Sequence, residues 1–210
     1  MKQRKLIAVI FIEVLVLFLV IYVGFIRPPV DIKIHGTYIA SPFEIADFQL
    51  RDQRGKIFSK TNLEGHWSLV FFGFTHCSVL CPTTMAELNT MYHTLQRTLP
   101  KNELPQVIFV SIDPERDTQE RLSQFVNTFN PHFIAIRANM AETVLLEKQF
   151  HVSAEKNDNS LNHSLEIVLL NPEAKVQAYL SYPHQAEQLA GDYQKVLRER
   201  FSKKVFHRNP

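Results

Sequence analysis

The chain lacks any strong excess of charge of one sign. Its 210 residues include 23 Lys and Arg against 21 Asp and Glu, a formal net charge of +2, and neither sign forms a long run. The sequence therefore contains no basic patch of the kind that binds nucleic acid, and nucleic acid is not an expected partner. Low-complexity stretches and repeats at solenoid periods are also absent, so a single globular domain with a sizeable core is expected.

Cysteine is scarce, since Cys77 and Cys81 are the only two in the chain. Two sulfurs alone leave zinc or an iron–sulfur cluster short of ligands. A disulfide between residues four apart closes a very small loop and adds little stability. Two interpretations remain open from the spacing. One is a thiol redox pair, and the other is a site for Cu(I), which prefers thiolates, with one further ligand.

The residues around the cysteines predict a strand, a turn and a helix. The apolar run 69–72 is β-branched and aromatic, which is typical of a buried central strand, and residues 73–76 form a turn. Pro82 suits the first position of a helix, so Cys81 is expected at the N-cap of a helix that runs towards residue 99. Both sulfurs would then lie at the positive end of a helix dipole, which favours thiolates.

The amino-terminal part of the chain predicts a membrane anchor. Residues 1–5 are rich in Lys and Arg, and residues 6–26 are apolar except for Glu13. At 1.5 Å per residue that segment spans about 30 Å, the thickness of a bilayer's hydrocarbon core. It is long for a signal peptide, and no small-residue cleavage site follows it. We expect residues 1–5 to be cytoplasmic and 6–26 to form an uncleaved single-pass anchor. The positive amino terminus should stay in the cytoplasm, which places the rest of the chain on the other side of the membrane. Because no Arg/Ser-rich transit sequence precedes the anchor, a bacterial inner membrane facing the periplasm is favoured over mitochondria.

The remainder of the chain is predicted to be a tether at 27–41, a folded domain at 42–201 and a tail at 202–210. Within the domain the pattern reads as a hairpin at 43–59, three strand–helix units, two strands and a final helix, with a polar loop at 153–162. This order predicts an α/β fold with a central mixed sheet and helices on both faces.

Three segments, in this order, resemble the Sco/SenC family: GFTHCSVLCPTT at 73–84, VIFVSIDPERDT at 107–118 and NHSLEIVLLNP at 162–172. The resemblance covers about residues 40–200. It implies a thioredoxin-like fold and a membrane-anchored copper protein of cytochrome c oxidase assembly. The family binds copper, as Cu(I) or Cu(II), through two cysteines and one distant histidine, and the matching positions are Cys77, Cys81 and His163. The family usually carries an acidic residue between the cysteines, whereas this chain has Ser-Val-Leu there.

Two functions follow from these observations. The first is a metallochaperone that binds one copper and passes it to an oxidase subunit, or exchanges it with another copper chaperone. The second is a thiol–disulfide oxidoreductase that uses Cys77 and Cys81 as catalytic thiols to keep a partner's copper-binding cysteines reduced. Oxidoreductases of the thioredoxin superfamily usually have CxxC and a cis-proline opposite it. The spacing here is CxxxC and residues 153–163 contain no proline, which favours metal binding. A redox sensor or scaffold is a third interpretation.

Other potential ligands are given structural roles. Met85 and Met91 lie at helical spacing with leucines and are expected in the core. His76 is next to Cys77, and neighbouring residues of an extended segment point apart, so it is not expected to share a metal with the cysteines. Glu115 and Arg116 could form an ion-pair cluster near the site or contact a partner. A capped surface loop is the preferred interpretation, because surface ion pairs are usually incidental.

Overall fold

The computed structural model describes residues 10–19, 22, 32–157, 160–163 and 165–206, and gives the backbone alone for 154–157, 160–163 and 201–206. The chain divides into two compact units, Met1–Asp31 and Ile32–Pro210. Residues 10–19 of the first unit are helical. Among the residues that the structure describes, no helix is both long and apolar enough to cross a membrane. The predicted anchor, 6–26, lies partly outside those residues.

The second unit alternates strands and helices. Its described strands are β1 (Gly36–Glu44), β2 (Gln49–Asp52), β3 (Ile57–Ser59), β4 (Ser68–Gly73), β5 (Gln106–Ser111), β6 (Ile134–Arg137), β7 (Ala154–Asn157), β8 (Ser160–His163), β9 (Ile167–Leu170) and β10 (Lys175–Leu180). Its described α-helices are α1 (Leu80–Thr98), α2 (Gln119–Phe129), α3 (Met140–Gln149) and α4 (Ala186–Phe206). Short 3-10 helices cover Lys60–Asn62 and Lys101–Glu103.

Eight strands form one mixed sheet in the order β1-β10-β9-β4-β5-β6-β2-β3. Strands β4, β5 and β6 are parallel to one another, and β9 is antiparallel to β4. The predicted mixed sheet is therefore confirmed. One boundary differs, since β1 begins at Gly36 inside the predicted tether and pairs with β10. Helix α4 likewise runs to Phe206, into the predicted tail.

Strand β4 separates two apolar cores. All six of its residues are buried. Leu69 and Phe71 face the core beneath α1, α2 and α4, whereas Val70 and Phe72 face the core that contains residues of α3. Burying a side chain of this size contributes about 1.5–3 kcal/mol, so β4 is a major source of stability. Helices therefore lie on both faces of the sheet, as predicted.

Helix α1 begins two residues earlier than the sequence predicts. Val79 is its N-cap, and Cys81 and Pro82 are its second and third residues. The expectation that Cys81 is the N-cap is wrong. The amides of a first helical turn have no acceptor within the helix, so a proline loses no hydrogen bond at the third position either. The core role of Met85 and Met91 is confirmed, since both side chains on this helix are fully buried.

The predicted polar loop at 153–162 is also wrong in part. Strands β7 and β8 pair there as a two-stranded antiparallel sheet, with Ala154 opposite His163. Both strands are mainly polar, so they lack the apolar alternation by which a strand is recognised in a sequence. Pairing of their backbone amides and carbonyls does not depend on that alternation.

Gly73, the last residue of β4, is required by close packing. A Cβ atom at this position would lie 2.8 Å from Cε2 of Phe109 and 3.0 Å from Sγ of Cys81. Both distances are shorter than ordinary van der Waals contacts. The missing side chain at Gly73 therefore leaves the space that the Cys81 sulfur and the Phe109 ring occupy.

We expect Gly73→Ala to destabilise the domain by about 1–3 kcal/mol, because overpacking a close-packed core displaces its neighbours. Gly191→Ala is the matched control. A Cβ there would meet no atom of the described residues within 4 Å. Because Gly191 lies inside α4, this change should stabilise the domain by about 0.5–1 kcal/mol. Urea unfolding midpoints of the two variants measure both effects. A Gly73→Ala midpoint as high as that of Gly191→Ala would show that Cys81 and Phe109 can make room for the added methyl group.

Candidate metal site

The two thiols lie together where β4 passes into α1, and they differ in burial. Cys77 is half-buried in the connecting loop, whereas Cys81 in the first turn of α1 is fully buried. The backbone N–H of Cys81 donates to Sγ of Cys77 across 3.2 Å. Neither sulfur is in a disulfide. One donor is therefore accessible from solvent, and the other forms the floor of the site.

Burial raises the pKa of the Cys81 thiol above its ordinary range, and the nearby Cys77 and the Asp117 carboxylate act in the same direction. At Cys81, burial therefore opposes the thiolate that the helix dipole is expected to favour. A helix dipole stabilises a negative charge at the helix N-terminus by about 0.3–1 kcal/mol. Desolvation of a buried group can move its pKa by about 3–5 units, at about 1.4 kcal/mol each. At Cys81 desolvation is the larger effect.

The segment that carries His163 is followed by β9, which pairs with β4, the strand that leads to the cysteines. Ile167, the first residue of β9, lies opposite Phe71 of β4 in an antiparallel pair. His163 ends β8 only four positions earlier, so its Cα lies within about 14 Å of the Cα of Ile167. The side chain of His163 is outside the described part of the structure. The strand pairing thus places Ile167, four positions after His163, near the end of β4 that leads to the cysteines.

No three His, Cys, Asp or Glu side chains form a possible metal-binding group within the part of the chain that the structure describes. The described donors of the candidate site are therefore the two sulfurs.

A buried carboxylate supports the loop between β4 and Cys77, and sequence reasoning missed it. Asp117 is fully buried. Its Oδ1 accepts the Thr75 hydroxyl at 2.5 Å, its Oδ2 accepts the Ser111 hydroxyl at 2.7 Å, and the Thr75 amide lies 3.2 Å from both oxygens. The sequence did contain a signal, because Asp117 follows a strand predicted to be buried, and ligand sites of α/β sheets gather at the carboxyl ends of strands.

His76 contacts the same carboxylate. Its Nδ1 lies 3.4 Å from Oδ1 of Asp117, and its Nε2 meets NH1 of Arg121 at the start of α2. The side chain of His76 is 31% exposed. Residues 75 and 76 form a turn, so the alternation of an extended segment does not describe them. The position of His76 is set by its hydrogen bonds.

The loop after β5 contains a second buried acid, Asp113. Its Oδ2 pairs with Nε of Arg116, and the Arg116 side chain is 53% exposed. Oδ1 of Asp113 is buried and has no hydrogen-bond partner among the described residues. Arg137 at the end of β6 donates to the carbonyl of Pro114 at 2.6 and 3.0 Å. The predicted surface loop therefore has a partly exposed arginine and a buried acidic anchor.

His184 is a buried histidine with a structural role. Its Nδ1 lies 3.1 Å from the hydroxyl of Thr84 on α1, and its Nε2 lies 3.4 Å from the carbonyl oxygen of Leu180. Burial lowers the pKa of His184 to about 4, so the ring is neutral at pH 7. The loop that carries it contains a cis peptide bond between Tyr182 and Pro183. Both ring nitrogens of His184 have partners within the protein.

Comparison with known proteins gives consistent matches. The SCO1/SenC family model matches residues 38–198. The bovine (Bos taurus) mitochondrial protein SCO2 homolog is 31% identical over 151 residues, which cover 68% of this chain and 56% of that protein. The chain spans about half the length of such curated relatives.

Solved structures give the same fold. Arabidopsis thaliana ScoI with copper bound is 27% identical with a TM-score of 0.68, and the match covers 74% of this chain and 98% of that one. Bradyrhizobium japonicum ScoI with copper bound is also 27% identical, with a TM-score of 0.63 and coverage of 73% and 99%. The predicted thioredoxin-like architecture is therefore confirmed at the level of the Sco fold. Because the family model matches residues 38–198, most of this chain, and the solved ScoI structures share its fold, the chain belongs to the SCO1/SenC family.

Proposed function

We propose that this protein is a copper-transfer protein that binds one copper through Cys77, Cys81 and His163 and supports assembly of the copper centre of cytochrome c oxidase. The observation that supports this most strongly is the antiparallel pairing of β9 with β4, in which Ile167, four positions after His163, lies opposite Phe71 near the end of β4 that leads to the cysteines. The two solved ScoI structures are described with copper bound.

The chemistry of the donors fits copper better than the alternatives. Thiolates select soft ions, and imidazole also suits copper. A third ligand from His163 gives a three-coordinate Cu(I) site, whereas zinc would need a fourth donor. The half-buried Cys77 is the side from which a partner's ligand could approach. A low coordination number and one accessible donor suit a protein that must release its cargo.

The place of action belongs to the same proposal. The apolar segment 6–26 follows a basic amino terminus. We propose that it anchors the domain to a bacterial inner membrane, with the domain in the periplasm. The partner would then be an oxidase subunit that receives copper on that side, or another copper chaperone.

The second candidate is a thiol–disulfide oxidoreductase acting on a partner's copper-binding cysteines. The arrangement of the thiols supports it, since Cys77 is accessible, Cys81 is buried and the two residues are in contact through the 3.2 Å N–H···S bond. An accessible thiol can attack a disulfide, and a buried neighbour can resolve the mixed disulfide that forms. The two functions use the same sulfurs and differ in what they require of His163.

His163→Ala should separate the two functions. Loss of a residue that only supports a ligand lowers metal affinity by about 10–100-fold. Loss of the ligand His163 itself should lower Cu(I) affinity by at least as much. Dithiol exchange with a small disulfide substrate should change little, because His163 is not a redox-active group. Anaerobic competition with a strong Cu(I) chelator and a thiol-exchange assay, both on the same protein, measure the two effects.

His93→Ala is the matched control. His93 is exposed on α1, about 18 Å along the helix from Cys81, and its removal should leave copper affinity unchanged. Unchanged copper affinity in His163→Ala would exclude His163 as a ligand and favour the reductase.

Copper binding should weaken as the pH falls. The thiols bind copper as thiolates, and burial raises the pKa of Cys81, so copper must displace a proton from Cys81 throughout the neutral range. One displaced proton lowers the apparent affinity by about tenfold for each pH unit of acidification. Competition titrations at pH 6, 7 and 8 measure this slope, and the Cys77–Cys81 disulfide form should bind no copper. A flat pH profile would contradict thiolate ligation.

The two thiols should react at different rates. Cys77 is half-buried and Cys81 is fully buried with a raised pKa, so iodoacetamide should modify Cys77 first, because only an accessible thiolate is nucleophilic. Peptide mass spectrometry over a time course follows both sites, and bound Cu(I) should protect both. Faster modification of Cys81 would show that the first turn of α1 opens in solution.

A further inference from the structure

His76 presents a problem of specificity for the proposed site. It is the residue directly before Cys77, and imidazole is a good copper ligand. Its side chain is partly exposed and lies in a turn rather than an extended segment. Position in the chain alone therefore does not keep this ring away from a metal held by the adjacent sulfur.

The hydrogen bonds of His76 account for both ring nitrogens. A neutral imidazole has one N–H and one lone pair, and a guanidinium group can only donate. Arg121 donates to Nε2 of His76, so the lone pair is on Nε2 and the hydrogen is on Nδ1. Nδ1 faces Oδ1 of Asp117 at 3.4 Å and the hydroxyl of Thr75 at 3.4 Å. The ring thus has no lone pair left for a metal.

The partners of His76 are themselves held in place. Asp117 is fully buried and accepts hydrogen bonds from the amide and hydroxyl of Thr75 and from Ser111. Arg121 is in the first turn of α2, where its amide donates to the capping hydroxyl of Thr118 across 3.3 Å. Thr118 directly follows Asp117, so the groups on the two sides of the ring belong to one short, capped segment.

We propose that Asp117 and Arg121 form a clamp that keeps His76 off the copper and so reserves the third ligand position for a histidine from elsewhere in the chain. This inference rests on the proposed copper site and adds a specificity-determining pair to it. Asp117 and Arg121 act through His76 and do not touch the metal, so they are positioning residues. Without Arg121 the lone pair of Nε2 is released, and the ring can turn towards copper on Cys77.

The test compares copper spectra of the full-length protein in four forms: wild type, His76→Ala, Arg121→Ala and the double variant. The readout is the number of imidazole ligands, from X-ray absorption of the Cu(I) form and electron paramagnetic resonance of the Cu(II) form. Arg121 is exposed, so its replacement should leave the fold intact. Arg97→Ala, which removes an exposed arginine from the last turn of α1, is the matched control for the loss of charge.

We expect His76→Ala to leave the wild-type spectrum unchanged and Arg121→Ala to add imidazole scattering that disappears when His76 is also removed. In the His163→Ala background, Arg121→Ala should recover about tenfold in Cu(I) affinity, within the range that a ligand environment controls. Arg97→Ala should do neither.

The outcomes distinguish the clamp from the copper site itself. Identical spectra for Arg121→Ala and the double variant would overturn the clamp, whatever His163→Ala does. A change caused by His76→Ala in the wild-type background would also overturn it, because His76 would already be a ligand. The proposed ligand set is tested separately by the affinity of the single His163→Ala variant. A protein that binds no copper in any form would overturn both proposals.

Discussion

The antiparallel pairing of β9 with β4 is the constraint on which the site depends. Ten residues lie between Phe71 and Pro82, and they supply both sulfurs, whereas the segment ending at His163 is more than 80 positions away in the chain. Four residue pairs between the strands, from Ser68 opposite Leu170 to Phe71 opposite Ile167, fix the register. A slip of one residue would reverse the face of every side chain on a strand that separates two cores. The cost of such a slip fixes the register, and the register fixes the position at which the chain after His163 enters β9.

Packing at the end of β4 fixes the sulfurs themselves. Gly73 leaves room for Cys81 and Phe109, and the buried Asp117 holds the following turn through Thr75. Removing an acceptor from buried donors costs about 1–3 kcal/mol for each group left unpaired. Apolar packing at Gly73 and hydrogen bonds from Thr75 to Asp117 therefore hold the two parts of the loop. Such a loop presents Cys77 at a defined position without covering it, which is the geometry that an exchange site needs.

The sequence predicted those parts of the fold that follow from local patterns. The predicted buried run 69–72 forms the middle of β4. The helical spacing of Met85 and Met91 correctly predicted that these side chains of α1 are buried in the apolar core. The polar hairpin β7–β8 was missed because its pairing leaves no apolar pattern. The start of α1 was predicted two residues too late, because a proline fits any position of the first turn and Pro82 therefore does not mark the first residue. The cysteines were found from their spacing, but the contacts of Asp117 with Thr75 span 42 positions, and no local rule predicts which acid of the 113–117 loop is turned inward.

The different burial of the two cysteines bears on how copper would leave the proposed site. A buried thiol with a raised pKa is a ligand that regains a proton readily once the metal is removed. In the proposed site, protonation of Cys81 would therefore favour copper release, whereas the accessible Cys77 would be the side from which a partner's ligand enters. If His76 could also bind, the proposed site would gain a fourth donor next to Cys77, and copper exchange would be slower. Keeping that imidazole engaged with Asp117 and Arg121 leaves the accessible side of the proposed site with a single sulfur. The same contacts that order the loop would then also favour copper transfer over storage.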